Sequence, residues 1–374
     1  MRIDRSMKEN NFDFLRLALA VLVIFSHSFP LGVGSEIHEP LRVLTHGQMT
    51  FGAFAVDLFF VMSGFLIAGS AERSRNLGAF LKKRVARIYP AFVVSAILMA
   101  LVVLPLAGGT FAGAHWLARL WDFVLQTLRL QEFHVQSAFA HNPYPGVLNG
   151  SVWSIQYEFW CYLGVAMMAA VGLLRRRGWV LTCFAASVAI GAASQTQGWI
   201  LGGKFAGVVL GSPQLWARLL PYYLAGVVFY LFRDRIRLHA QGALLALITL
   251  LAASWVHVGW AALFPVAGAY LVFYVAFAQW IPLQRVGRFG DFSYGTYLYA
   301  FPIEQLLVMK FGHTVAPWML FAIAAPLTLL FAVVSWYAVE RRFLRPERRK
   351  ELPIAELGAE APQQLAYVGN TTDV

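Results

Sequence analysis

Arg16 and His27 stand eleven residues apart inside the first long apolar stretch of the chain. Ionisable side chains are expensive there and are usually kept for function. Eleven residues make almost three helical turns, so on a helix the two share a face, roughly 16 Å apart along the axis. In the second and fourth apolar stretches, Asp57 and Glu158 fall at nearly the depth of His27, about 9 Å from the same surface if the stretches alternate in direction. A histidine held by a carboxylate is fixed in one tautomer and made more basic, which suits it to take a proton from a hydroxyl. A substrate would supply that hydroxyl. Ser26 and Ser28 flank His27, but neighbouring helix positions point to different faces, so no triad is read there. Each of the three groups taken singly is as well explained as a satisfied packing residue; their common depth is what points to chemistry. On the other side, Arg84 and Arg87 are three apart on one helix face. Such a pair suits bidentate contact with phosphate, and ordinary anchoring of a cytoplasmic loop accounts for it equally.

The elements that must position these groups are membrane helices. Of 374 residues, 59% are hydrophobic and only 13% charged, about half the charge of a soluble domain. The pattern predicts an all-α polytopic integral membrane protein with about ten spans, near residues 12–33, 51–70, 88–107, 151–173, 178–195, 214–232, 239–255, 258–281, 290–310 and 316–338. Alternate loops carry about 23 of the 30 basic residues, among them Arg2, Arg5 and Lys8, the run from Arg73 to Arg87, Arg175 to Arg177, and Arg341 to Lys350. By the positive-inside rule both termini are cytoplasmic. The net charge of +11 is therefore a matter of topology and of anionic lipid, and no nucleic-acid partner is expected. Cys161 and Cys183 fall in apolar stretches, so no disulfide framework is implied, and no metal-ligand spacing is found. A span domain over 1–345 is expected, followed by a polar, disordered cytoplasmic tail over 346–374. The long connection at 108–150 holds an amphipathic segment from His115 onward and irregular backbone at His141 to Gly146.

Secondary candidates are weaker. Trp153 and Tyr157, beside Glu158, would shape a sugar site or anchor the helix at the interface. Arg218 and Glu304 lie near the outer ends of their spans and either contact an acceptor or pair with each other. Asp291 reads as a helix cap, and Gly64 as a point of close helix packing.

Five segments together resemble the acyltransferase-3 family of integral membrane O-acyltransferases: Asn11-Phe12-Asp13-Phe14-Leu15-Arg16 with His27; Val56-Asp57 through Ser63-Gly64-Phe65-Leu66; Arg84-Val85-Ala86-Arg87-Ile88-Tyr89-Pro90; Trp153-Ser154-Ile155-Gln156-Tyr157-Glu158; and Phe292-Ser293-Tyr294-Gly295-Thr296-Tyr297-Leu298-Tyr299. Their order and spacing are more specific than any one of them. The resemblance implies transfer of an acyl group, acetyl by default, from cytoplasmic acyl-CoA to a hydroxyl of a surface glycan or lipid-linked saccharide, in a bacterial cytoplasmic membrane. It implies His27 as the catalytic histidine with Arg16 its paired arginine, Arg84 and Arg87 on the donor, and Asp57 and Glu158 as the acidic positions of their segments. One departure stands out: many relatives carry histidine where this chain has Ala300. A proton-coupled transporter of a small acid or sugar would also fit intramembrane His and carboxylates, although the paired repeats and broken helices common in transporters are not found. A non-catalytic assembly protein would leave the arginine pair unexplained.

Overall fold

The computed structural model describes residues 10–344 except 75, 112–114, 198–208 and 281–282. The basic residues Arg2, Arg5, Lys8 and Lys204 and the tail over 346–374 lie outside the described residues. The long helices are α1 (Phe12–Val33), α3 (Phe51–Arg73), α4 (Leu77–Leu106), α6 (Trp153–Ala170), α7 (Arg177–Gln197), α8 (Pro213–Leu231), α9 (Ala240–Ala253), α10 (Gly259–Ala276), α11 (Ser293–Lys310) and α12 (Pro317–Phe343). A short α2 (Pro40–Leu44) and an isolated α5 (Trp116–Leu128) lie in connections. The only strands among the described residues, β1 (Phe133–His134) and β2 (Val147–Asn149), form a two-stranded antiparallel hairpin.

The helix starts follow local chemistry. Thr50 caps α3 by accepting from the Ala53 amide, and Asn76 caps α4 by accepting from Ala79, each satisfying an amide that has no partner inside the helix. Pro213 and Pro317 occupy first turns, where a missing N–H costs nothing. Each long helix overlaps one of the predicted stretches, but α4 begins at Leu77, ahead of the predicted 88–107, so Lys82 to Arg87, expected in a loop, stand on its first turns. Six are long and apolar enough to cross a bilayer by length and composition: α1, α3, α4, α7, α10 and α12. Of the other four, α6, α8 and α11 carry Glu158, Arg218 and Glu304 within their length. The seventh predicted stretch yields only the 14 residues of α9, about 21 Å of helix against a hydrocarbon core of about 30 Å.

Contacts sort the molecule into two ends. At the basic end, Arg16 and Arg87 meet Asp291, Arg233 meets Glu72, and Arg177 meets Asp234; Asn11, at the start of α1, donates to the carbonyls of Val275 and Ala278. At the opposite end, Gln48 binds Ser254, and the Val315 amide donates to Gly32. There the hairpin is fastened to α11: Asn149 Nδ2 donates to the Leu298 carbonyl at 2.8 Å, and Asn142 Nδ2 to Gln305 Oε1 at 2.8 Å. α5 presents Trp116, Leu117, Leu120, Trp121 and Leu128 outward as one exposed apolar face. It is tied to the bundle by Tyr89, whose hydroxyl donates to the Leu128 carbonyl.

Candidate active site

A cavity of about 890 Å³ is framed by α3, α4, α6 and α11 and reaches the basic end. Arg16, Lys82, Lys83, Arg84 and Arg87 line it, and the one carboxylate among its lining residues is Glu158. The three arginines expected on a donor are thus brought together. Two of them are held from outside. Asp291, in the connection ahead of α11, lies 2.5 Å from Arg87 and 3.5 Å from Arg16, while Glu340 of α12 lies 3.8 Å from Arg87. Asp291 is not the N-cap of α11, a position that Phe292 holds; it stands one residue earlier and accepts from the Ser293 amide at 3.2 Å, and the clamp on two arginines is its larger part. Burial pushes the Asp291 carboxyl up; Arg87, then Arg16 and the Ser293 hydroxyl, outweigh it and hold it down at about 2. Arg84 is different. Its guanidinium lies over the rings of Phe80 and Tyr162 at 5.8 and 5.9 Å. Its Nε is buried without a partner, and among the described residues no carboxylate is within salt-bridge distance of it. A buried donor left unpaired is costly and marks a place where an anion would be welcome.

Away from the basic end, the cavity closes on Ser154 and Tyr297, whose hydroxyl oxygens are 2.7 Å apart. His27 does not line it. His27 lies one turn further toward the opposite end: its Nδ1 is 3.5 Å from Ser151 Oγ, a long contact, and its ring meets Phe301 edge to face with centroids 5.7 Å apart. The hairpin places Ser151 there, because Ser151 stands two residues beyond the end of β2 and its amide donates to Asn149 Oδ1.

The carboxylate partners expected for His27 face elsewhere. Asp57 is buried and 3.1 Å from Arg218. Glu158 accepts from Ser63 Oγ at 2.8 Å and from Tyr162 Oη at 2.6 Å. Counting residues along a helix gives depth, but packing sets which way a face turns. Asp57, Val61 and Gly64 form one stripe of α3 at helical spacing, and that stripe presses on α8. A Cβ on Gly64 would strike the Tyr223 carbonyl, and one on Gly226 would strike the Val61 carbonyl, so the backbones meet there and Asp57 is committed to Arg218. The alternative pairing of Arg218 with Glu304 does not form either: Glu304 accepts from Ser28 Oγ at 2.7 Å, and its second oxygen is buried without a partner. Arg218 instead lies 5.8 Å over Trp153, Trp153 packs against Tyr157, and Tyr157 Oη accepts from the Ser212 amide. Trp153, Tyr157 and Arg218 therefore form one cluster with Asp57. Ala300 is buried. Among the described residues no three metal-ligating side chains gather.

A model of the acyltransferase domain matches residues 9–337. The chain belongs to the acyltransferase-3 family. It is an integral membrane acyltransferase, as the five segments led one to expect. It is 28% identical over 349 residues to a protein of Shigella phage Sf6 named O-acetyl transferase, covering 90% of this chain and 96% of that one. It is 28% identical over 357 residues to Nodulation protein 10 of Rhizobium leguminosarum bv. viciae, covering 89% and 92%. Acyltransferase MdmB of Streptomyces mycarofaciens is 32% identical over 114 residues, 30% of this chain and 27% of that protein. No solved structure matches the chain. Residue types alone had not singled out Ser151, Ser154, Tyr297, Glu340 or the double pairing of Asp291. Ser154 and Tyr297 sat inside quoted segments, but a lone hydroxyl in an apolar helix gives no signal of what it faces.

Proposed function

We propose that this acyltransferase moves an acetyl group from cytoplasmic acyl-CoA to a hydroxyl of an extracytoplasmic glycan or lipid-linked saccharide. The reading includes ten spans over a single domain at 1–345, both ends in the cytoplasm, a tail at 346–374, and residence in a bacterial cytoplasmic membrane. The observation that carries it is the cavity: five cations converge at the end where the basic loops gather, and Arg84 makes no salt bridge to a described carboxylate and keeps its Nε buried without a partner. Donor phosphates meet Arg84 and Arg87, and Arg16 lines the path of the pantetheine arm. The 16 Å or so between Arg16 and His27 along α1 is within the reach of that arm when extended.

The acceptor hydroxyl approaches from the opposite end. His27 takes its proton, the alkoxide adds to the thioester carbon, and the thiolate leaves with the proton returned from the imidazolium. With Nδ1 turned to Ser151, Nε2 is the nitrogen that faces the acceptor. Asp57 and Glu158 act at one remove, Asp57 by holding Arg218 and Glu158 by ordering Ser63 and Tyr162 on the cavity wall. Trp153, Tyr157 and Arg218 belong to the acceptor side, a flat aromatic wall with a cation over it. The relative from the Sf6 phage, named for O-acetyl transfer, supports the choice of acetyl.

The test is transfer of radiolabelled acetyl from acetyl-CoA in inside-out membrane vesicles, wild type against His27→Ala at matched expression. Alkali-labile label in the membrane or glycan fraction with the wild type alone is the expected result. Equal labelling by the two proteins refutes the role of His27.

A further inference from the structure

The mechanism above leaves one need unmet. When the alkoxide adds to the thioester, negative charge develops on the acyl oxygen. In a water-excluded site the preorganised donors aimed at that oxygen usually contribute most to the rate. The arginines cannot serve, since they stand at the other end of the cavity where the phosphates go. What the cavity offers at its deep end is the pair Ser154 and Tyr297, joined at 2.7 Å.

We infer that Tyr297 donates its hydroxyl hydrogen to the acyl oxygen of the donor, and that Ser154 fixes Tyr297 in that role by donating its own hydrogen to the Tyr297 oxygen. This rests on the acyl-CoA reading above and deepens it. Three features support the assignment. Both residues line the donor cavity, whereas His27 and Ser151 do not. A phenol bonded to one hydroxyl keeps a single hydrogen for a second partner only when that hydroxyl is the donor, and among the described residues neither hydroxyl of the pair has a third partner, so it can adopt that arrangement. The spacing also fits. Tyr297 lies four residues, about 6 Å of helix, before Phe301, whose ring packs on His27. The reaction needs one hydrogen bond of about 3 Å from imidazole to acceptor oxygen and one contact of about 3 Å from that oxygen to the acyl carbon. The acyl group would therefore sit between the two residues, its carbon toward His27 and its oxygen toward Tyr297.

The bonds balance. The acceptor oxygen bonds to the acyl carbon as its proton passes to His27. The carbonyl pair moves onto the oxygen that Tyr297 holds. On collapse the C–S bond breaks, and the thiolate takes the proton from the imidazolium. Tyr297 stays protonated throughout.

Tyr297→Phe keeps the ring and its packing on Phe59, 6.3 Å away between centroids, and removes only the hydroxyl. The assay is labelled transfer from acetyl-CoA in vesicles, with kcat and KM for acetyl-CoA measured separately and His27→Ala run alongside. Loss of one such donor costs about 10²–10³ in kcat, so a fall of that size with KM within threefold is expected. Ser154→Ala should lower kcat at least fivefold with KM held, and adding it to Tyr297→Phe should cost little more, because the serine acts through the tyrosine. It also stands as the test if Tyr297→Phe fails to fold. A Tyr297→Phe enzyme within fivefold of wild type, or one whose defect is all in KM, overturns the assignment. If His27→Ala is also active, the role of His27 as base falls as well; if only Tyr297→Phe is active, the failure is confined to this inference.

Discussion

Arg84→Gln should weaken the donor without weakening the fold. In the structure Arg84 makes no salt bridge to any described carboxylate, and its Nε is buried without a partner. Its favourable contacts are the rings of Phe80 and Tyr162 near 5.8 and 5.9 Å, worth about 0.5–1 kcal/mol each at exposed sites and about 2 kcal/mol when desolvated. Against that stands the desolvation of the guanidinium, so truncation should leave stability within about 1 kcal/mol of wild type. Binding is another matter. A hydrogen bond to a charged group contributes about 1.5–3 kcal/mol. At 1.4 kcal/mol per decade, losing one such bond to a donor phosphate raises KM for acetyl-CoA roughly 10- to 150-fold. The assay pairs initial rates of labelled transfer in inside-out vesicles, over a range of acetyl-CoA, with thermal unfolding of the detergent-purified protein. A KM within twofold of wild type refutes the reasoning, and so does a loss of stability as large as that of Arg87→Gln, because either would make Arg84 a structural cation.

Arg87→Gln is the converse case: it leaves Asp291 and Glu340 facing each other's charge without their shared cation, and should cost on the order of 3 kcal/mol, read as a lower unfolding temperature. The same clamp predicts a pH profile. The Asp291 carboxyl is held down at about 2, below its unfolded value of about 3.9, so its contribution is complete above pH 4 and is lost as pH falls through 2; the difference in unfolding temperature between wild type and Asp291→Asn should shrink as pH falls below 4. Gly64→Ala places a methyl against the Tyr223 carbonyl and should destabilise by at least the 1–3 kcal/mol typical of overpacking, seen as reduced monodisperse yield on size exclusion.

What the sequence made legible was whatever runs along a helix. Hydropathy located the helices, and the three-residue spacing of Arg84 and Arg87 put both in one cavity with Arg16. Gly64 could be read as a packing point because a small residue in an apolar span has few other uses, and its contact with the Tyr223 carbonyl bears that out. What runs between helices was hidden. His27, Asp57 and Glu158 share a depth, yet Asp57 is turned to Arg218 by the same stripe that seats Gly64 on α8, and Glu158 is taken by Ser63 and Tyr162. No count along α3 or α6 contains that rotation, which is decided where two backbones meet. The partner His27 does have, Ser151, comes from a loop whose position depends on a hairpin fastened to α11 by Asn149 and Asn142. Ionisable groups announce themselves in an apolar sequence because burying them is costly, whereas hydroxyls cost little and pass unnoticed. Around His27 it is hydroxyls, Ser151 beside it and Ser154 with Tyr297 at the cavity floor, that occupy the places where the carboxylates had been sought. Under the proposed mechanism, a base with no carboxylate at hand has its imidazolium stabilised by the charge it helps to create, which would place the burden of catalysis on whatever receives the acyl oxygen.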